Sequence, residues 1–178
     1  MSKIDRVTIQ TYEYTLDDFG PGIAIYQKGG KLTLQKFLVT IDTDDGLSGS
    51  YAPHFGATPH AKAQVHEMAR GLIGKDPEQR EQIFERLKLS HRHYDKTGIA
   101  IIDTVLWDLA GKKYDAPIAR LLGGFRDRLP VYASTTSGQR IPGGLDSVER
   151  YAEFALTCRD AGINAFKIHS FFDGNPRT

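Results

Sequence analysis

Apolar and polar side chains alternate from Val7 to Tyr14 and again from Phe37 to Ile41, the period of half-buried β-strands. Between them, Leu16 to Gly30 carries Asp17-Asp18, Gly20-Pro21-Gly22 and Gly29-Gly30, which predicts a mobile loop too long for a tight hairpin. Thr43-Asp44-Asp45-Gly46 supplies turn chemistry ahead of a third short strand near Leu47 to Ala52. The chain therefore opens as an antiparallel meander.

The period then changes to that of helices. Thr58-Pro59 reads as an N-cap and first-turn proline, followed by Val65, Met68, Ala69, Leu72 and Ile73 on one face, with Gly74 as the stop. Asp76-Pro77, with Gln79 three residues after the aspartate, opens a second helix whose stripe is Ile83, Phe84 and Leu87. A third, from about Gly98 to Lys113, is apolar around most of its circumference and belongs at the centre of a core. Its Asp103 and Asp108 read as carboxylates that anchor neighbouring backbone. A short helix over Pro117 to Leu122 stops at Gly123-Gly124. From there the order becomes strand (Leu129 to Ser134), helix (capped by Asp146 and Glu149, stopped by Gly162) and strand (Asn164 to His169), a parallel βαβ unit with a domain boundary near Phe125.

Composition narrows the function classes. In 178 residues, 23 Lys and Arg balance 22 Asp and Glu for a net charge of +1, so no basic footprint for nucleic acid is present. The longest apolar stretch, around Ile99 to Ala110, is interrupted by Asp103, Thr104 and Asp108 and falls short of the ~20 residues of a membrane span. The sequence opens MSKIDRVTIQ, without a secretory apolar segment, and has a single cysteine, Cys158. A cytoplasmic protein with no nucleic-acid or membrane partner is expected, and Cys158 reads as a buried, inert thiol.

Candidate chemistry lies at the end of the last strand. In Ala165-Phe166-Lys167-Ile168-His169 the side chains alternate, so Lys167 and His169 share a face if Phe166 and Ile168 pack against helices. A parallel strand is normally apolar on both faces, and a lysine crowded at its C-terminal end would have its pKa lowered toward the range useful for proton transfer. A surface-exposed Lys-x-His on an edge strand is the alternative. His91 and His93, spaced i, i+2, diverge on a helix and have no third ligand nearby, so they do not read as a metal pair.

The run Ile102-Asp103-Thr104-Val105-Leu106-Trp107-Asp108-Leu109-Ala110-Gly111-Lys112, then Pro117, Leu121-Leu122-Gly123-Gly124 and Val131-Tyr132-Ala133-Ser134, resembles the mandelate racemase and muconate lactonizing enzyme branch of the enolase superfamily. The opening strand, the Asp45-Gly46-Leu47-Ser48-Gly49 turn and Gly74-Lys75-Asp76-Pro77 occur in that family's order. The resemblance implies an α+β capping domain over residues 1–125, an antiparallel meander plus helices. It is followed over 126–178 by the first βαβ unit of an incomplete α/β (TIM-type) barrel. It also implies Mg²⁺-assisted removal of the proton α to a carboxylate. Where the family has Lys-x-Lys, with the first lysine polarising the carboxylate and the second acting as acid/base, this chain has Lys167 and His169. The first role transfers to Lys167; His169 is left as acid/base, hydrogen-bond donor or spectator. That substitution fits a sugar-acid dehydratase better than a racemase, epimerase or cycloisomerase, which are the alternatives. The cap loops of the family set specificity, which makes Phe19, Tyr26, Tyr51 and His54 candidate substrate contacts. A homo-oligomer, dimer or octamer, acting on a small carboxylate, is the expected assembly.

A complete barrel of about 250 residues does not fit the length, and the stretch after residue 125 accommodates about two strands and one helix. The resemblance places the acidic metal ligands and a His-Asp base pair on later strands, so no metal ligand is assigned. The expectation is an N-terminal portion of a longer enzyme, inactive by itself. The competing expectation is a non-catalytic cap that serves as an interaction module.

Overall fold

The computed structural model describes residues 2–20, 26–54, 59–135, 145 and 147–168, with the backbone alone at 26 and 27. Three strands, β1 (Ile4–Phe19), β2 (Tyr26–Thr43) and β3 (Ser48–Tyr51), form one sheet in that order. Helices α1 (Pro59–Ala69), α2 (Arg80–Ser90), α3 (Thr97–Lys113) and α4 (Ile118–Leu121) follow, and then β4 (Ala133–Ser134), α5 (Val148–Asp160) and β5 (Phe166–Lys167). The chain divides into two compact units, Met1–Glu13 with Gln35–Phe125, and Tyr14–Leu34 with Arg126–Thr178.

In the first unit β2 and β3 pair antiparallel with Ile41 opposite Gly49 and Thr40 opposite Ser50. Gly46, at φ 87, closes their turn by donating to the Thr43 carbonyl at 3.0 Å, as the turn chemistry predicts. Phe37, Val39 and Ile41 alternate onto the buried face and meet Val65 and Met68 of α1 and Ile102, Val105 and Leu106 of α3. Eight residues of α3 are buried, from Gly98 to Ala110, which makes it the central helix its apolar circumference predicts. Gly49 presents no side chain to α3, and this lets the two backbones meet: a Cβ there would lie 2.5 Å from the Val105 carbonyl oxygen. Asp108 accepts from the Ser50 N–H at 2.7 Å and pairs with Lys112 at 2.8 Å, so this carboxylate ties α3 to β3.

A polar network fastens the start of α1 to the start of α3. The His60 Nε2 lies 2.5 Å from Asp95 Oδ2, the Thr97 N–H donates to Asp95 Oδ1 at 2.9 Å, and the Gly98 N–H donates to Gln64 Oε1 at 2.8 Å. The Thr97 N–H and hydroxyl, then His60, hold the Asp95 carboxyl well below the usual carboxylate range. A carboxyl depressed on folding contributes stability above its unfolded pKa, near 3.8, and that contribution disappears as pH falls through the folded value. Acid titration of stability should therefore show the difference between the parent and Asp95→Asn shrinking below about pH 3.8; a constant difference at lower pH would contradict this linkage.

Four expectations are corrected. The predicted loop at Leu16 to Gly30 is largely strand: β1 runs to Phe19 and β2 begins at Tyr26, while residues 21–25 lie outside the described ones. Pairing absorbs the turn-forming residues, since Asp18 (φ 61) accepts from the N–H of Gly29 (φ 77) at 2.7 Å and the Thr15 and Thr33 hydroxyls lie 3.1 Å apart. Helix α1 ends at Ala69 rather than Gly74, because the backbone of 74–75 exchanges hydrogen bonds with Ile4 at 2.8 and 2.9 Å instead of continuing a helix. Asp76 accepts from the Glu78 N–H and holds a turn, and α2 starts only at Arg80. In the second unit Ser147 caps α5 by accepting from the Arg150 N–H at 3.3 Å; Asp146 lies outside the described residues.

The second unit contains the parallel pair β4 and β5, joined through α5, with Ala133 opposite Phe166 and Ser134 opposite Lys167. Both strands are shorter than their sequence patterns, and Leu129 and Val131 are exposed. Cys158 is buried on α5. No described helix is long and apolar enough to cross a membrane.

Candidate functional site

Lys167 is held by its backbone first. Its carbonyl accepts from the Thr135 N–H at 3.0 Å and from the Thr135 hydroxyl at 3.3 Å, and Thr135 is only 2% exposed. Phe166 turns toward α5, where its ring meets that of Phe154 edge-on at 5.9 Å between centroids. Alternation sends Lys167 to the opposite face. There its ammonium stands 5.6 Å from the centre of the Tyr132 ring. The side chain is exposed. His169 lies outside the described residues.

The candidate specificity residues fall in both units. Phe19 is half-buried at the end of β1, and Tyr26 begins β2, its side chain outside the description. Both belong to the unit that holds Lys167. Tyr51 and His54 belong to the other: Tyr51 packs against the core, and the exposed His54 has its Nδ1 3.1 Å from the Lys36 Nζ. His91 ends α2 with its Nδ1 2.8 Å from the Ser90 hydroxyl and 3.1 Å from the Leu87 carbonyl.

Among the described residues no group of three or more His, Cys, Asp or Glu side chains is placed to hold a metal ion. They do not fit a magnesium site. What this face can offer chemically is a cation, with hydroxyl groups on the neighbouring strand, at the C-terminal end of a parallel pair. Tyr132 is the residue that reading single positions misses. The signal was present in the alternation of Val131-Tyr132-Ala133-Ser134, which puts Tyr132 on the face of Ser134, but its value depends on the Ser134–Lys167 register.

Comparison with known proteins places this architecture. The profile of the mandelate racemase / muconate lactonizing enzyme N-terminal domain matches residues 30–123, more than half of the chain. The chain belongs to this family of the enolase superfamily. Over 135 residues it is 35% identical to the D-galactonate dehydratase of Variovorax paradoxus strain S110, covering 72% of this chain and 33% of that protein. A D-glucarate dehydratase from Agrobacterium tumefaciens, solved with magnesium, superposes with a TM-score of 0.80 at 27% identity, covering 99% of this chain and 47% of that one. The dipeptide epimerase of Enterococcus faecalis V583, solved with Mg and the dipeptide L-Leu-L-Tyr, shares the fold with a TM-score of 0.71 at 22% identity, over 96% of this chain and 45% of that one. The chain thus spans a third to a half of the length of these relatives.

Proposed function

We propose that this chain is the N-terminal part of a magnesium-dependent enzyme that removes the proton α to a carboxylate and acts as a sugar-acid dehydratase. The observation that carries the reading is Lys167 at the C-terminal end of the parallel strand β5, in a chain 35% identical to a D-galactonate dehydratase. Residues 1–125 act as the capping domain and 126–178 begin the barrel. Lys167 pairs with the substrate carboxylate; negative charge builds on those oxygens as the α-proton leaves, so the ammonium stabilises the transition state more than the ground state. Loss of the β-hydroxyl as water then gives an enol that becomes a 2-keto-3-deoxy acid. His169, in place of the family's second lysine, serves as an acid or hydrogen-bond donor. Phe19, Tyr26, Tyr51 and His54 contribute to substrate choice. Magnesium belongs to the reading through the relatives; its ligands are not among the described residues. The enzyme acts in the cytoplasm as a homo-oligomer, a dimer or octamer.

The test uses the full-length gene product and a panel of sugar acids that includes D-galactonate and D-glucarate. One acid should lose a single water in the presence of Mg²⁺ and be left intact with a chelator. Absence of both a keto-deoxy product and α-proton exchange across the panel would defeat the reading and favour a non-catalytic interaction module.

A further inference from the structure

We infer that Tyr132 is a positioning residue for Lys167, its ring face holding the ammonium where an anionic substrate meets it. The inference rests on the role proposed above for Lys167 and adds a residue to it.

The placement follows from the register. Ser134 lies opposite Lys167 in the parallel pair, and neighbouring residues in a ladder project to the same side. Tyr132 stands two positions before Ser134, just ahead of β4. The lysine leans back along the sheet, and its Nζ comes within 5.6 Å of the ring centre, inside the ~6 Å range of a cation–π contact. Among the described residues the ring is the partner of this ammonium, and no carboxylate pairs with it. Tyr132 is 56% exposed among the described residues.

The kind of partner matters. An Asp or Glu beside Lys167 would compete with a substrate carboxylate for the same N–H donors. A ring attracts the cation through its quadrupole and leaves those donors and the full charge available. It also restricts a side chain that is otherwise free to sample many rotamers, so less order has to be imposed when substrate binds.

Two measurements test this. In the 178-residue chain with its lysines ¹³C-dimethylated, the Lys167 methyl signal should be displaced upfield by the ring, lose that displacement in Tyr132→Leu and keep it in Tyr132→Phe. In the full-length gene product, with the acid the panel identifies, Tyr132→Leu should lower kcat about tenfold with KM changed less than about threefold, because the contact tightens as charge develops. Tyr132→Phe, which retains the ring, should restore kcat to within about twofold of the parent. Unchanged kcat in Tyr132→Leu, or equal impairment of the Phe and Leu variants, overturns the positioning role while the enzyme reading stands. If the unsubstituted protein exchanges no α-proton, the enzyme reading falls and the role given to Tyr132 falls with it, even with the ring displacement present.

Discussion

Gly49→Ala is expected to destabilise the first unit by about 3 kcal/mol, at the upper end of what overpacking costs. The added Cβ would lie 2.5 Å from the Val105 carbonyl oxygen, 2.8 Å from the Leu109 Cβ and 2.9 Å from the Leu109 amide nitrogen. Two of these are backbone atoms of the most buried helix, so no side-chain rotation relieves the clash. Either α3 separates from β3 or β3 shifts against β2, and either movement would also strain the Asp108 bond to the Ser50 N–H. Urea unfolding should show the loss as a lower midpoint. Gly71→Ala is the control: its new Cβ would meet only the Met68 carbonyl, at an ordinary 3.4 Å, and stability should change by no more than about 0.5 kcal/mol. Equal stability of Gly49→Ala and the parent would mean that the close approach of β3 and α3 is not required.

Lys167→Ala is expected to reduce α-proton exchange of the substrate by roughly 10³-fold or more, the scale on which removal of a preorganised charge from a developing oxyanion is felt. The residue is exposed and its backbone is held by Thr135, so the substitution should leave folding intact and separate chemistry from stability. Exchange is followed by NMR in D₂O with the full-length gene product, the acid from the panel and Mg²⁺. Lys167→Arg, which keeps the charge but replaces a compact ammonium by a planar fork, should recover only part of the activity. Exchange at the parent rate in Lys167→Ala would remove this residue from the mechanism.

Local signals were sufficient where one physical cause dominated. Alternation at Phe37 to Ile41 and the turn at Thr43 to Gly46 correspond to the observed β2, turn and β3, because both depend on adjacent residues. The third helix was legible because an apolar run of that length can only be buried. The strand pairing around Asp18 and Gly29 was not legible, since these turn-forming residues are satisfied across strands and not along the chain. The same holds for the end of α1, where Ile4, some seventy residues away, takes the hydrogen bonds that a longer helix would have used.

For the candidate site, the residue type of Lys167 and its place on a strand were available from the sequence, as was the family, through its ordered motifs. Which neighbours Lys167 keeps was decided only by tertiary structure. Strand pairing sets Ser134 against Lys167, Thr135 grips its carbonyl, and the Tyr132 ring comes to stand against the ammonium. The division has a physical reason: side-chain period and turn propensity are properties of neighbouring residues, whereas register is selected by hydrogen bonds and packing between segments that the sequence keeps about thirty residues apart.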